Sequence, residues 1–127
     1  MKTVTLPTTL EYIGYYAFQN CTGLTSITIP GSVKTIEPDA FSYCYNLTTV
    51  VIEEGVHSIG KKTFIWCESL TGITLPASLT EIGDGAIGSI EGPDGGYYPM
   101  GGVTVYAPSG SYTAQYCQSL NINWKTK

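Results

Sequence analysis

The chain has 127 residues, 13% of them charged, and a formal net charge of −4. That length fits one domain with a core of useful size. The six Lys and Arg residues are scattered, with Lys61–Lys62 and Lys125/Lys127 as the near pairs. There is no basic stripe for nucleic acid. No apolar run approaches the roughly 20 residues of a membrane-spanning helix, and the first residues carry no signal-peptide pattern.

Along the chain one unit recurs every 23 residues. Phe18, Phe41 and Phe64 share a column, as do Cys21, Cys44 and Cys67, and Leu24, Leu47 and Leu70. Four further apolar columns keep the same period. They are Val4/Ile27/Val50/Ile73, Leu6/Ile29/Ile52/Leu75, Leu10/Val33/Val56/Leu79 and Ile13/Ile36/Ile59/Ile82. A fixed period of roughly 20–50 residues marks a stacked-repeat architecture. The apolar columns persist while those between them drift, as expected where each unit buries its apolar face against its neighbours.

The units run over about 1–23, 24–46, 47–69 and 70–92. Each begins with a short strand. In the second unit, Ile27-Thr28-Ile29 alternates apolar and polar, with β-branched residues suited to a pleated surface. Pro30 ends the strand, since it has no N–H to give. Gly31-Ser32 is turn chemistry. Val33 and Ile36 point inward again, and Ala40, Phe41 and Cys44 suit one irregular or 3₁₀-like turn on a coiled return. The fourth unit decays: Ile87 stands in the Phe column and Ile90 in the Cys column, as befits a terminal repeat. An insert over 93–102 follows, rich in Gly and Pro and read as irregular. The segment 103–127 reads as a closing strand, with Trp124 near its end.

The run Leu24-Thr-Ser-Ile27-Thr-Ile29-Pro30-Gly-Ser-Val33-Lys-Thr-Ile36-Glu-Pro-Asp-Ala40-Phe41-Ser-Tyr-Cys44-Tyr-Asn46 resembles the BspA-like leucine-rich repeat family of bacterial surface proteins. The resemblance covers the four units and resumes at Val103–Tyr112. The fold it implies is an α/β-type leucine-rich-repeat solenoid. It would be a right-handed stack with one parallel strand per repeat and little regular helix. The asparagine ladder of other leucine-rich repeats is missing. Backbone groups, water or Ser/Thr hydroxyls are expected to satisfy the bends instead. Met1 stands in the leucine column, so the expectation is a C-terminal portion of a longer protein, because a stack needs a cap. The first strand, Thr3–Leu6, would then present an unpaired edge open to self-association.

The cysteine column lies among apolar residues, and parallel side chains on adjacent rungs resist the disulfide torsion. All three are expected to be buried, reduced and structural. One Cys per repeat with no companion His gives no metal site, and no cofactor is implied. His57 with Glu53 and Glu54 invites an acid–base or metal reading. Their columns are variable and fall on a turn, so solvated residues without chemistry are expected. Asp39 and Asp84 are two repeats apart, without the cleft that paired carboxylates need. Asp94-Gly95-Gly96 lacks the alternating oxygen ligands of a calcium loop.

What remains is surface. Thr5, Thr28, Thr49 and Thr74 should lie in rows on the sheet, together with Thr3 and Ser26. Val51 and Gly72 break the rows, which disfavours an ice-binding face. Ordinary strand preference explains the threonines as well as ligand binding does. Tyr43, Tyr45 and Trp66 fall in columns outside the core, and Tyr12, Tyr15 and Tyr16 join them on the first return. Tyr97 and Tyr98 of the insert either cover the open end of the core or join a binding loop. The family resemblance implies a non-catalytic binding module at the bacterial cell surface or outside it. Its ligand would be a protein or glycan, in protein–protein contact or cell and matrix adhesion. The alternative is an accessory targeting module of a larger cell-wall or carbohydrate-active enzyme.

Overall fold

In the structure, a computed structural model, residues 2–87, 89–99, 102–108, 110–119 and 124–126 are described. The principal sheet is built from β1 (Lys2–Thr5), β3 (Leu24–Ile29), β5 (Thr49–Ile52), β7 (Gly72–Thr74), β11 (Thr104–Ala107) and β12 (Trp124–Thr126). They pair in that order, all parallel. Register follows the sequence columns. Val4 pairs with Ile27, Ile27 with Val50, Val50 with Ile73, and Ile73 with Val105. Side chains alternate across a strand, so β5 reads exposed, buried, exposed, buried. The inward set Ile27, Val50, Ile73 and Val105 is at most 4% exposed.

The return of each coil is not merely irregular. It carries a second parallel sheet, one two-residue strand per coil: β2 (Tyr12–Ile13), β4 (Thr35–Ile36), β6 (Ser58–Ile59) and β8 (Glu81–Ile82). Ile13, Ile36, Ile59 and Ile82 pair along it and point into the core. Apolar residues from both sheets thus meet between them, and each coil contributes one rung to each.

Between the second sheet and the next coil the backbone turns twice through the left-handed region. Tyr16, Asp39, Lys62 and Gly85 occupy one such column, with φ of 58°, 62°, 58° and 67°, and Asn20, Tyr43 and Trp66 the other, with φ of 61°, 61° and 58°. Backbone groups there pair rung to rung: Phe18, Phe41 and Phe64 donate N–H to Ala40, Thr63 and Ala86, at 2.7, 3.0 and 3.0 Å. This bonding fixes the phenylalanine rings face to face. Phe18 and Phe41 stack at 5.0 Å and 2°, Phe41 and Phe64 at 5.2 Å and 11°.

Side chains complete the bends that lack an asparagine ladder. Cys44 and Cys67 donate their thiol S–H to the carbonyls of Phe18 and Phe41, at 3.1 and 3.2 Å. Thr48 and Thr71 donate their hydroxyls to Thr25 and Thr48, one rung back, at 2.9 and 3.2 Å. Asn46 donates its amide to the Thr22 carbonyl at 2.6 Å.

The C-terminal part departs from the expected single closing strand. It holds two strands with a helix between them. β11 extends the principal sheet, α1 (Tyr112–Ser119) follows, and β12 with Trp124 adds the last strand. Ser111 caps the helix by accepting the Ala114 N–H at 3.1 Å. Cys117 is fully buried in the core, and the Tyr116 hydroxyl donates to the Gly83 carbonyl at 3.3 Å. The insert is also more regular than its glycines and prolines suggested. β9 (Ser89–Glu91) and β10 (Tyr97–Pro99) pair antiparallel as a hairpin. Its turn is closed by Asp94 accepting the Gly96 N–H at 3.0 Å, with Gly95 at φ +81°. Asp94 therefore serves the turn.

Candidate functional site

The outward side of the principal sheet carries the threonine rows. Pairing puts Ser26, Thr49, Gly72 and Thr104 in one row, and Thr28, Val51, Thr74, Tyr106 and Lys125 in the next. Thr28 and Thr49 are exposed and Thr74 is half-buried. Thr5 is on β1 and pairs with Thr28; its side chain lies outside the described residues. Over β1, β3 and β5 the face forms a shallow depression of about 450 Å³. Val4, Ser26, Thr28, Thr49, Val51 and Glu53 are among the residues lining it.

One residue on this face escaped the sequence reading. Tyr106 is 37% exposed, and its ring edge would sit 3.8 Å from a Cβ placed on Gly72. The ring covers the strip of sheet that the glycine leaves bare, an arrangement known to support a glycine in a strand. The signal was a lone glycine in a Thr/Ser column.

The aromatic candidates lie elsewhere, and none of Tyr43, Tyr45 and Trp66 lines the depression. Tyr45 is 39% exposed, while Tyr43 and Trp66 are half-buried. The rings of Tyr43 and Tyr45 meet edge to face at 6.2 Å. Tyr43 and Trp66 occupy equivalent left-handed positions one rung apart, since Tyr43 donates its N–H to Ile65 at 2.9 Å. Tyr12, Tyr15 and Tyr16 are 64%, 63% and 56% exposed on the first coil. Tyr97 and Tyr98 stand on β10, and where their rings point falls outside the described residues.

The polar cluster resolves into a brace. Glu54 accepts the backbone N–H groups of Ala77 and Ser78, at 2.9 and 3.2 Å, one coil further on. It is therefore not merely solvated, as its column suggested. His57 places Nδ1 3.3 Å from the Ser78 carbonyl. Among the described residues no group of three or more His, Cys, Asp or Glu side chains is placed to hold a metal ion. No helix there is long and apolar enough to cross a membrane.

The cysteines split. Cys44, Cys67 and Cys117 are free and buried, and Cys21 is free but only partly buried, against the expectation of a uniformly buried column. The reason is its place on the first coil: nothing described packs outside it. Burial pushes the Cys44 and Cys117 thiols up to about 11 and Cys67 to about 12. Such thiols are poor nucleophiles, because the reactive thiolate is suppressed. At the same end, Val4, Phe18, Cys21, Gly23 and Leu24 line a mostly apolar hollow of about 320 Å³.

A comparison with curated proteins found no match. Among solved structures, the chain is similar to a leucine-rich repeat protein of T. pallidum (TpLRR), at 31% identity and a TM-score of 0.69. That match covers 82% of this chain and 44% of the other. It is also similar to a leucine-rich repeat protein of Bacteroides ovatus, at 36% identity and a TM-score of 0.58, over 78% of this chain and 25% of that one. The chain thus spans less than half the length of either. Residues 1–91 match the family model for the BspA type leucine rich repeat region, in six copies. Repeats of this type generally serve as binding modules. With the apolar strand columns paired in register and the family model matched over most of its length, the chain belongs to the BspA-type leucine-rich repeat family.

Proposed function

We propose that this domain is a non-catalytic binding module of a bacterial surface or secreted protein, acting in protein–protein contact or adhesion to cells and matrix. The observation that carries this reading is the outward face of the principal sheet. It is a shallow depression of about 450 Å³ with hydroxyl and aliphatic lining. Val51, 39% exposed, lines it on the β5 side, paired in register with Thr28. A broad, shallow, weakly charged face suits a macromolecular surface better than a small substrate, which is normally enclosed. Cys44 and Cys67 are buried with their S–H groups on backbone carbonyls, and His57 faces the Ser78 carbonyl, so these three do not form an oriented nucleophile and base.

The test is a binding screen of the folded domain against extracellular-matrix glycoproteins, repeated with Val51→Lys and Thr28→Lys. Binding lost in both variants, with melting unchanged, supports the reading. A hydrolase activity that purifies with the domain contradicts it. So does binding indifferent to every surface substitution.

The apolar end of the first coil supports self-association of this 127-residue chain, a contact that repeats preceding it in a longer protein would suppress. Val4 is 36% exposed, and Leu6, Leu10, Phe18 and Cys21 are only partly covered, while their column partners in later coils are buried. Among the described residues β1 also pairs on one side alone, and an unpaired edge invites another strand. Sedimentation at rising concentration tests this. Association abolished by Val4→Lys supports it, and a strictly monomeric parent refutes it.

A further inference from the structure

Left-handed backbone is cheap for Gly and tolerable for Asn, but costs a bulky residue its Cβ clearance. The column at Asn20, Tyr43 and Trp66 is left-handed at all three rungs. The first coil meets that demand with Asn, whereas the second and third use Tyr and Trp. Asparagine suits that backbone at lower cost than either aromatic, although the other left-handed column also carries Tyr16 and Lys62. The aromatic rings gain little from the core in exchange, because they project at its margin: Tyr43 and Trp66 are half-buried and Tyr45 is exposed. Strain held at a particular side chain is a pointer toward function.

The chemistry of the corner narrows the ligand. The hydroxyls of Tyr43 and Tyr45 and the indole N–H of Trp66 have no hydrogen-bond partner among the described residues, so each ring joins an apolar body to an unused polar tip. Tyr43 and Tyr45 hold each other edge to face at 6.2 Å. Trp66 stands at the equivalent left-handed position one rung along. Glu68, exposed, occupies the rung after Tyr45 and offers a carboxylate acceptor. Aromatic rings on neighbouring rungs, with donors and an acceptor at their edges, match pyranose rings, which present C–H faces and a hydroxyl rim. The net charge of −4 disfavours acidic chains.

We propose that Tyr43, Tyr45 and Trp66 form a stacking site for a neutral polysaccharide, on a face separate from the sheet depression. This rests on the reading of the domain as a binding module and names one of its ligands. Nothing in it requires catalysis, and no bond is made or broken.

The experiment uses the folded chain in affinity electrophoresis with three soluble neutral polysaccharides, laminarin, galactomannan and xyloglucan, and with proline-rich peptide as a competitor. Tryptophan fluorescence is followed in parallel. The parent is expected to be retarded by at least one polysaccharide, with a change in emission. Tyr43→Asn and Trp66→Asn are expected to weaken binding at least tenfold while melting at the same temperature as the parent or higher, because asparagine relieves the backbone. Val51→Lys, on the sheet depression, is expected to leave polysaccharide binding intact. Absence of retardation with all three polysaccharides overturns the proposal, as does preferential capture of the proline-rich peptide. So does a lower melting temperature in both Asn variants, which would make the rings structural. Matrix-protein binding through the sheet face, with no polysaccharide binding, sinks this site but leaves the binding module standing.

Discussion

The first coil and the two coils after it carry the same residues in the same columns, yet their interiors differ. Phe41, Phe64, Cys44 and Cys67 are 0% exposed, while Phe18 and Cys21 remain partly open and Val4 is 36% exposed. The pattern of the first coil is no poorer. Among the described residues it has a neighbour on one side only. A unit of this kind is too thin to bury its own apolar face, so its burial comes from the rungs above and below. The same holds for polar groups: Cys44 reaches back to the carbonyl of Phe18, and Cys67 to that of Phe41. Identical side chains thus differ in energetic weight by position along the stack.

The largest test of that contrast is a pair of truncations. Phe41 sits between two stacked rings, so Phe41→Ala leaves a closed cavity and is expected to cost about 3–5 kcal/mol. Phe18→Ala opens onto solvent and is expected to cost ~1–2 kcal/mol, since less area leaves water. Denaturant unfolding of both variants measures this, and equal losses would break the comparison. Next come the thiols. Cys44→Ser puts a hydroxyl into an apolar row and is expected to cost about 1–3 kcal/mol, while Cys21→Ser stays within about 0.5 kcal/mol of the parent.

Alkaline pH sharpens the same point. The folded state holds Cys44 and Cys117 protonated up to about 11 and Cys67 up to about 12. The unfolded chain loses those protons from about 8.5 upward. The thiol contribution is therefore whole below the ordinary thiol pKa, and is lost as pH climbs from there to about 11–12. Melting temperature followed from pH 7 upward is expected to fall over that window, less steeply in Cys67→Ala once its lower baseline is subtracted. A smaller effect belongs to Glu54. Glu54→Ala frees two backbone donors on an exposed turn and is expected to cost about 0.5–1 kcal/mol. Glu53→Ala, lacking such a brace, serves as the control near zero.

The sequence made the stack legible because neighbour-dependent burial forces the same residue type into the same place in every coil. The columns through Phe41, Cys44 and Ile52 therefore gave both period and register before any coordinates. Features without a column stayed hidden. The second sheet showed its inward Ile13/Ile36/Ile59/Ile82 column but not its strands, because two residues per coil are too few for an alternation to register. Among its described side chains helix α1 buries Thr113, Ala114 and Cys117, and three small residues make a faint stripe. Tyr106 covers Gly72 from the strand after the insert, where the 23-residue period has lapsed. Glu54 acts on Ala77 and Ser78 through backbone bonds, which side-chain columns do not report. The surface candidates were legible as residues but not as a site: the sheet threonines and the aromatic corner proved to be separate faces.

Thiol labelling resolved by cysteine tests most directly whether neighbours confer burial. The folded domain is pulsed with a small alkylating reagent, and each cysteine-bearing peptide is quantified over time. The account predicts that Cys21 labels first in the native state, while Cys44, Cys67 and Cys117 label together, at the rate of unfolding. Labelling of Cys44 as fast as Cys21 would contradict it.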